Sequence, residues 1–151
     1  MKKIAIEEHV TEGGLDHLEQ RLKDMDESGI DMQVLNFVLL FDERISAAAA
    51  TEKARITNDA LAKTVEKYPE RFASFASLAL QNPDAAANEL ERAVKKLGLK
   101  GTMLYLPIKD NLDNQKYWVL FERAEKLGVQ YIFIPAPLQP IPFKPIQATL
   151  Y

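Results

Sequence analysis

The chain has 151 residues, of which 47% are hydrophobic, with a net charge of -3 and no cysteine. This length suits one domain with a substantial core. The acidic balance excludes the basic surface of a nucleic-acid or membrane-surface binder, and the lack of cysteine excludes disulfides and thiolate metal sites.

We expect a cytoplasmic protein without a membrane partner. The N-terminal MKK is followed by a short apolar stretch that breaks into acids, which is not the apolar core of a signal peptide. No apolar run approaches the roughly 20 residues of a membrane span. The absence of cysteine also permits a reducing compartment.

The predicted elements alternate between strands and helices from the first residues onward. Residues 2–9 predict a short strand, and the helix after it has leucines spaced at three and four and ends at Gly29. A nearly continuous apolar run at 32–40 predicts a strand covered on both faces. A long Ala-rich helix follows, from about Ile45 to Tyr68.

The same alternation continues in the second half of the chain. Asn82 is placed to cap the third helix and Gly98 to end it, and Gly128 ends the fourth helix. Five prolines between residues 135 and 145 exclude a regular element there. The three remaining strands are predicted at 71–80, 100–107 and 129–136.

Five strands alternating with four helices predict an α/β fold with a parallel sheet and right-handed crossovers. Two architectures compete at this point, a doubly wound open sheet and a segment of a (β/α)8 barrel. Gly13 and Gly14 come too late after the first strand and lack the GxGxxG spacing of a phosphate loop. Their placement counts against a nucleotide-binding open sheet.

The first strand ends in the triplet EEH at Glu7, Glu8 and His9. Because side chains alternate along a strand, Glu7 and His9 are predicted to share one face and Glu8 the other. In a barrel the pair would lie at the mouth where barrel enzymes build their sites. A carboxylate beside an imidazole suits a divalent metal such as zinc. The alternative is a solvated strand end with an incidental ion pair.

Several phrases in combination resemble the amidohydrolase-related family that includes γ-resorcylate and aminocarboxymuconate semialdehyde decarboxylases. They are the opening EEH, the MD..GID phrase from Met25 to Asp31, and the YPERF and NPDAA phrases. The resemblance covers nearly all of residues 1–135. It implies a distorted (β/α)8 barrel with a divalent metal, usually zinc, and it identifies Glu7 and His9 as the first two metal ligands.

The resemblance also implies an activity. Members of this family are metal-dependent decarboxylases or hydrolases of small aromatic or conjugated carboxylic acids, so a small-molecule carboxylate is the expected substrate. A full barrel typically needs about 250 residues. We therefore expect a partial (β/α)8 TIM barrel at 1–136, followed by a proline-rich tail at 137–151.

One expected metal ligand is replaced in this sequence. The family places a further histidine at the end of the fifth strand, where Ile134 stands. A catalytic zinc site generally has three protein ligands, so we expect weak or no metal binding by the isolated chain. The alternative function is therefore a catalytically inactive homologue that acts as a structural or oligomeric interaction module.

No motif identifies catalytic or substrate-binding residues. The alternative for the charged loop residues is that they are simply exposed to solvent. His17 is predicted to be a surface residue. Trp118 and Phe121 are predicted to lie in the core or at an interface. The loop candidates are Asp42, Asp110 and Asp113 for a third metal ligand, and Arg44 and Lys109 for a substrate carboxylate.

A five-stranded piece of a barrel would leave its first and fifth strands as edges with unpaired backbone groups. Its inward face, near Ile4 and Ile6, would also lack the opposite wall. The alternatives are an open sheet with the proline-rich tail over one face and a marginally stable chain. Because burial of exposed apolar surface is favourable, we expect a homo-oligomer.

Overall fold

The computed structural model describes residues 1–10, 15, 17–37, 44–105 and 113–134, without the side chains of Glu7 and Tyr105. The described part contains five strands and four α-helices in the predicted alternation. In chain order they are β1 (Ile4–Val10), α1 (Leu18–Ser28), β2 (Met32–Phe37), α2 (Ala47–Lys67), β3 (Phe72–Ser74), α3 (Pro83–Leu97), β4 (Gly101–Tyr105), α4 (Trp118–Leu127) and β5 (Gln130–Ile134).

All the strand pairs are parallel. β2 lies between β1 and β3, and β4 pairs with β5. The two groups are joined by a parallel bridge between Ala76 and Thr102, and the amide of Lys100 donates to the carbonyl of Ser74 over 2.9 Å. The strands therefore follow one another in chain order, which confirms the predicted parallel α/β fold.

β3 is shorter than the strand predicted at 71–80, and side-chain hydrogen bonds hold the segment that follows it. The amide of Phe75 still donates to the carbonyl of Leu35 over 3.0 Å, whereas it is the hydroxyl of Ser77 that donates to the carbonyl of Phe37, over 2.7 Å. The Ser77 amide donates instead to Oδ1 of Asn58, over 2.7 Å. These contacts at Ser77 lie three residues beyond the end of β3.

The predicted helix ends are confirmed where they were assigned. Oδ1 of Asn82 accepts the amide of Ala85 over 3.1 Å and so caps α3. Gly29, Gly98 and Gly128 all adopt the left-handed conformation after α1, α3 and α4. None of the helices in the described ranges is long and apolar enough to cross a membrane.

The helices cover one face of the strands. A cluster beneath α1 and α2 contains Val10, Met25, Leu35, Leu61 and Phe72. A larger cluster beneath α3 and α4 includes Leu90, Leu104, Tyr117, Leu120 and Ala124. Burial of these side chains against the strands is the main source of stability for such a fold.

The opposite face of the strands, here called the inner face, is only partly covered. Val34, Phe75 and Met103 form its buried centre, with Ile132 and Ile134 packed partly against them. Ile4 pairs laterally with Met32, two residues before Val34, and is 53% exposed. The start of the first strand is therefore exposed on this face in the described part of the chain, and the missing opposite wall stays a prediction.

Trp118 was predicted to lie in the core or at an interface, and the core assignment is wrong. Its side chain is half exposed, whereas the preceding Tyr117 is buried. The reason is helical geometry: Leu120 and Ala124 of α4 face the strands, and Trp118 begins the helix on the outward side. Phe121 is partly buried and contacts the rings of Tyr131 and Phe133.

Candidate metal site at the end of the first strand

The end of β1 carries an irregularity in its pairing with β2. Ala5 pairs with Gln33, but Glu8 rather than Glu7 pairs with Leu35, so three steps along β1 match two along β2. A bulge of this kind bends a strand and changes the direction of the side chains that follow. Bulges are common next to active sites, which makes this strand end the first place to look for a site.

After the bulge, the residues alternate as the sequence predicted. Val10 is buried in the cluster beneath the helices, and Glu8 on the same face reaches Arg21 of α1. His9 pairs laterally with Asn36, whose amide nitrogen lies 3.0 Å from the sulfur of Met103 on the inner face. His9 therefore belongs to the inner face, where it is exposed. Placement of the Glu7 side chain beside it stays a prediction, since that side chain is not described.

Arg21 of α1 forms hydrogen bonds with the end of β1 and with β2. Its Nη1 donates to Oε2 of Glu8 over 3.2 Å and to Oε1 of the buried Gln33 over 3.0 Å. Its Nη2 donates to the carbonyl of His9 over 3.4 Å. The side chains of Arg21 and Glu8 are 23% and 31% exposed, so this pair is less screened than a surface ion pair. Arg21 thus joins the bulged strand to β2 immediately beside the candidate ligand.

Sequence reasoning did not identify Arg21. The one available signal was an opposite-charge pair, Glu8 and Arg21, placed across a single strand–helix unit. Such pairs are common and rarely mark a site. The convergence of three acceptors on one guanidinium depends on the register of β2, which supplies Gln33.

We expect Arg21→Met to loosen the end of β1, because the substitution keeps the aliphatic stem and removes all three hydrogen bonds. Amide hydrogen exchange at Glu8, His9 and Val10, measured by NMR, should become about tenfold faster.

The matched control is Arg123→Met. Arg123 also contacts a carboxylate, an amide side chain and a carbonyl, those of Glu91, Asn88 and Ala87 on α3. The Arg123→Met variant should leave amide hydrogen exchange in β1 unchanged. Equal acceleration of exchange by both variants would argue against a local role for Arg21.

The remaining candidates contribute no third ligand that can be placed. Among the described residues, no group of three histidine, aspartate or glutamate side chains is arranged to hold a metal. Ile134 packs against the apolar centre of the inner face, where the family pattern led us to expect a histidine. His17 is exposed, as predicted, and precedes α1. Asp113 and Arg44 are exposed, and Asp42, Lys109 and Asp110 lie outside the described residues.

A carboxylate and an imidazole are suitable donors for a divalent transition metal. The residues at the end of β1 therefore fit such an ion in kind. The two ligands that the resemblance names are fewer than the three that a catalytic site generally uses.

Comparisons with known proteins agree on the relationship. The chain is 37% identical over 129 residues to γ-resorcylate decarboxylase of Polaromonas sp. strain JS666. This alignment covers 80% of this chain and 40% of that protein. It is 31% identical over 117 residues to 2-amino-3-carboxymuconate-6-semialdehyde decarboxylase of Dictyostelium discoideum, covering 76% of this chain and 33% of that protein.

A solved structure shows the same fold. Dihydroxybenzoic acid decarboxylase from Polaromonas sp. JS666, with bound manganese and the inhibitor 2-nitroresorcinol, superposes with a TM-score of 0.77 and 31% identity. The superposition covers 92% of this chain and 51% of that one. The structural neighbours are amidohydrolase TIM barrels, so the five strands correspond to part of such a barrel.

The chain spans about half the length of this solved relative and 40% or less of the two curated relatives. A family model described as amidohydrolase matches residues 9–150. That match extends over most of the chain and agrees with the sequence relatives and the fold. The chain belongs to the amidohydrolase family.

Proposed function

We propose that this chain supplies the first-strand part of a divalent-metal site in a decarboxylase of small aromatic carboxylic acids, with Glu7 and His9 as metal ligands. The observation that carries the proposal is the position of His9 on the inner face at the carboxyl end of β1. In parallel α/β barrels that end of the strands is where catalytic residues lie. Both curated relatives compared above are named as decarboxylases, which favours carbon–carbon cleavage over hydrolysis.

When bound, the metal would polarise a substrate oxygen and orient the carboxylate that is to leave. The residues of this chain would act around it. Glu7 and His9 would hold the ion, and Arg21 would keep their strand in register from the helix side.

Manganese and zinc are both compatible with a carboxylate–imidazole pair. The sequence resemblance favoured zinc, whereas the solved Polaromonas relative contains manganese. Manganese is therefore the first ion to test, and dihydroxybenzoates are the first substrates.

A second candidate function is a metal-free interaction module. Two observations favour it: Ile134 contributes an apolar side chain where a ligand was expected, and the described residues contain no three-donor group. In that case the chain would retain the fold of the family and would bind a partner through exposed side chains such as Ile4 and Ile6 of β1.

The experiment that separates the two candidates is a titration of metal-free protein with Mn²⁺, followed by isothermal calorimetry or by electron paramagnetic resonance of free Mn²⁺. On the first proposal the chain binds about one ion, and His9→Ala or Glu7→Ala weakens the affinity by at least about tenfold.

The control is His17→Ala, which removes the only other histidine of the chain and should leave the affinity unchanged. Production of CO2 from 2,6-dihydroxybenzoate that rises with added Mn²⁺ would support the decarboxylase. If the chain binds no Mn²⁺ and no Zn²⁺ at millimolar concentration, the metal-site proposal is wrong and the interaction module remains.

A further inference from the structure

Ser77 exchanges two hydrogen bonds beyond the end of β3. The amide of Phe75 donates to the carbonyl of Leu35 in β2 over 3.0 Å. In an unbroken parallel ladder, the next donor would be the amide of Ser77 and its acceptor the carbonyl of Phe37. The hydroxyl of Ser77 makes that bond instead, over 2.7 Å, while its amide donates to Oδ1 of Asn58 over 2.7 Å. A side chain therefore takes the place of the backbone donor to β2.

Asn58 of α2 satisfies the backbone groups that leave the ladder. It is fully buried and accepts the amide of Ser77, and its Nδ2 donates to the carbonyl of Ser77 over 3.0 Å. The same Nδ2 donates to Oε1 of the buried Glu89 over 2.8 Å. A buried amide or carbonyl without a partner would cost free energy, so this contact allows the exchange. The backbone of Ser77 is thus held by α2 and its side chain by β2.

The carbonyl that Ser77 binds lies at the end of β2, next to the candidate metal ligand. Phe37 is the last residue of β2 and pairs laterally with Val10, and the preceding Asn36 pairs with His9. Since β2 lies between β1 and β3, it connects the segment after β3 to the strand that carries His9. Loss of the bond at Phe37 would loosen the end of β2 and with it the neighbour that fixes the end of β1.

Ser74 provides a direct comparison. Both serines are 1% exposed, and the hydroxyl of Ser74 also donates to a carbonyl of β2, that of Leu35, over 2.9 Å. The carbonyl of Leu35 accepts the amide of Phe75 as well, so it keeps a backbone donor when the hydroxyl of Ser74 is removed. The two serines therefore match in burial and in type of bond, but the acceptor of Ser77 lies two residues closer to the site.

We propose that Ser77 is a positioning residue for the candidate metal site. Its hydroxyl holds the final residue of β2 and thereby keeps His9, on the adjacent strand, in the geometry that binds the ion. This inference deepens the proposed function and rests on it for the role of the metal. The effect on His9 itself can be tested in metal-free protein.

The first test is NMR of metal-free protein labelled with ¹⁵N-histidine. The chain has two histidines, and His17→Ala assigns their signals. Ser77→Ala should shift or broaden the imidazole resonances of His9 and leave those of His17 in place. Ser77→Thr keeps the hydroxyl and Ser74→Ala keeps the bond at Phe37, so both should preserve the wild-type resonances of His9.

The second test is Mn²⁺ affinity, measured by calorimetry on the same variants. Ser77→Ala should weaken the affinity about fivefold or more, and Ser77→Thr and Ser74→Ala should stay within about twofold of the wild type. Circular dichroism and urea unfolding verify that each variant is folded under the assay conditions. If Ser77→Ala does not fold, Ser77→Cys replaces it, because a thiol fills a similar space and is a weak donor.

A purely structural role for Ser77 would lower stability and leave both the His9 resonances and the affinity of the folded protein unchanged. That result would overturn the proposal and leave the metal site standing. A Ser77→Thr variant that behaves like Ser77→Ala would also overturn it, since the hydroxyl would not be the group that matters. If the wild type binds no Mn²⁺, the proposed metal site is wrong, and the NMR comparison alone decides whether Ser77 positions His9.

Discussion

Gly101→Ala is expected to lower the free energy of unfolding by about 3 kcal/mol or more. Gly101 begins β4 with a φ of +149°, which L-residues rarely adopt, and an added Cβ would overlap the carbonyl oxygen of Gln130 in β5. Its own carbonyl accepts the amide of Ala76 over 2.8 Å, so it cannot move without breaking the link to the β3 segment. Urea unfolding followed by circular dichroism measures the loss.

Gly98→Ala is the matched control three residues earlier. Gly98 also has a positive φ, +73°, but nothing lies within 4 Å of the position of its missing Cβ. Alanine there meets only the strain of the left-handed conformation, about 1 kcal/mol. If both variants lose the same stability, close approach of β5 is not what requires glycine at 101.

Much of the fold could be predicted because its signals are local. Asn82 caps α3 through a contact three residues away, and Gly98 and Gly128 end their helices through their own backbone conformation. The end of β3 could not be predicted in this way. It depends on Asn58, which lies 19 residues from Ser77 and on another element.

In the candidate site, too, local features could be predicted from the sequence and features that depend on pairing between strands could not. Alternation correctly predicted that Glu8 and His9 lie on opposite faces, because period 2 is a property of the strand itself. The bulge before Glu8 is a property of the pair of strands and leaves no mark in the spacing of one of them. The three hydrogen bonds of Arg21 require that bulge together with Gln33 from β2. They therefore appear only in the assembled fold.

The proposed site lies beside an exposed part of the inner face. His9 is exposed at one end of this face, and Ile4 and Ile6 are exposed along the strand that carries it. In a complete barrel further strands would cover both regions. Whatever covers the isoleucines of β1 in this chain also determines how dry the surroundings of His9 become, and dryness strengthens the attraction between an ion and its ligands.

Glu89→Ala is expected to cost about 3 kcal/mol of unfolding free energy, because it removes the centre of a buried polar network. Glu89 is 4% exposed and accepts three hydrogen bonds of 2.8 Å, one from Asn58 and two from Arg92. The hydrogen bond to Glu89 is the main reason that the pKa of Arg92 is raised. Without the carboxylate, Arg92 keeps its charge with only Asp59 opposite, and Asn58 loses an acceptor inside the core.

The network matters for the site because Asn58 also holds both backbone groups of Ser77, accepting from its amide and donating to its carbonyl. That segment follows Phe75, which forms part of the inner face. Thermal and urea unfolding of Glu89→Ala should be compared with Glu91→Ala, two residues along the same helix. Glu91 also bonds two basic side chains, Lys95 and Arg123, and the hydrogen bond from Lys95 is the main cause of its lowered pKa. Because Glu91 is far more accessible to water, its removal should cost much less. Equal losses would mean that burial of Glu89 does not determine its contribution.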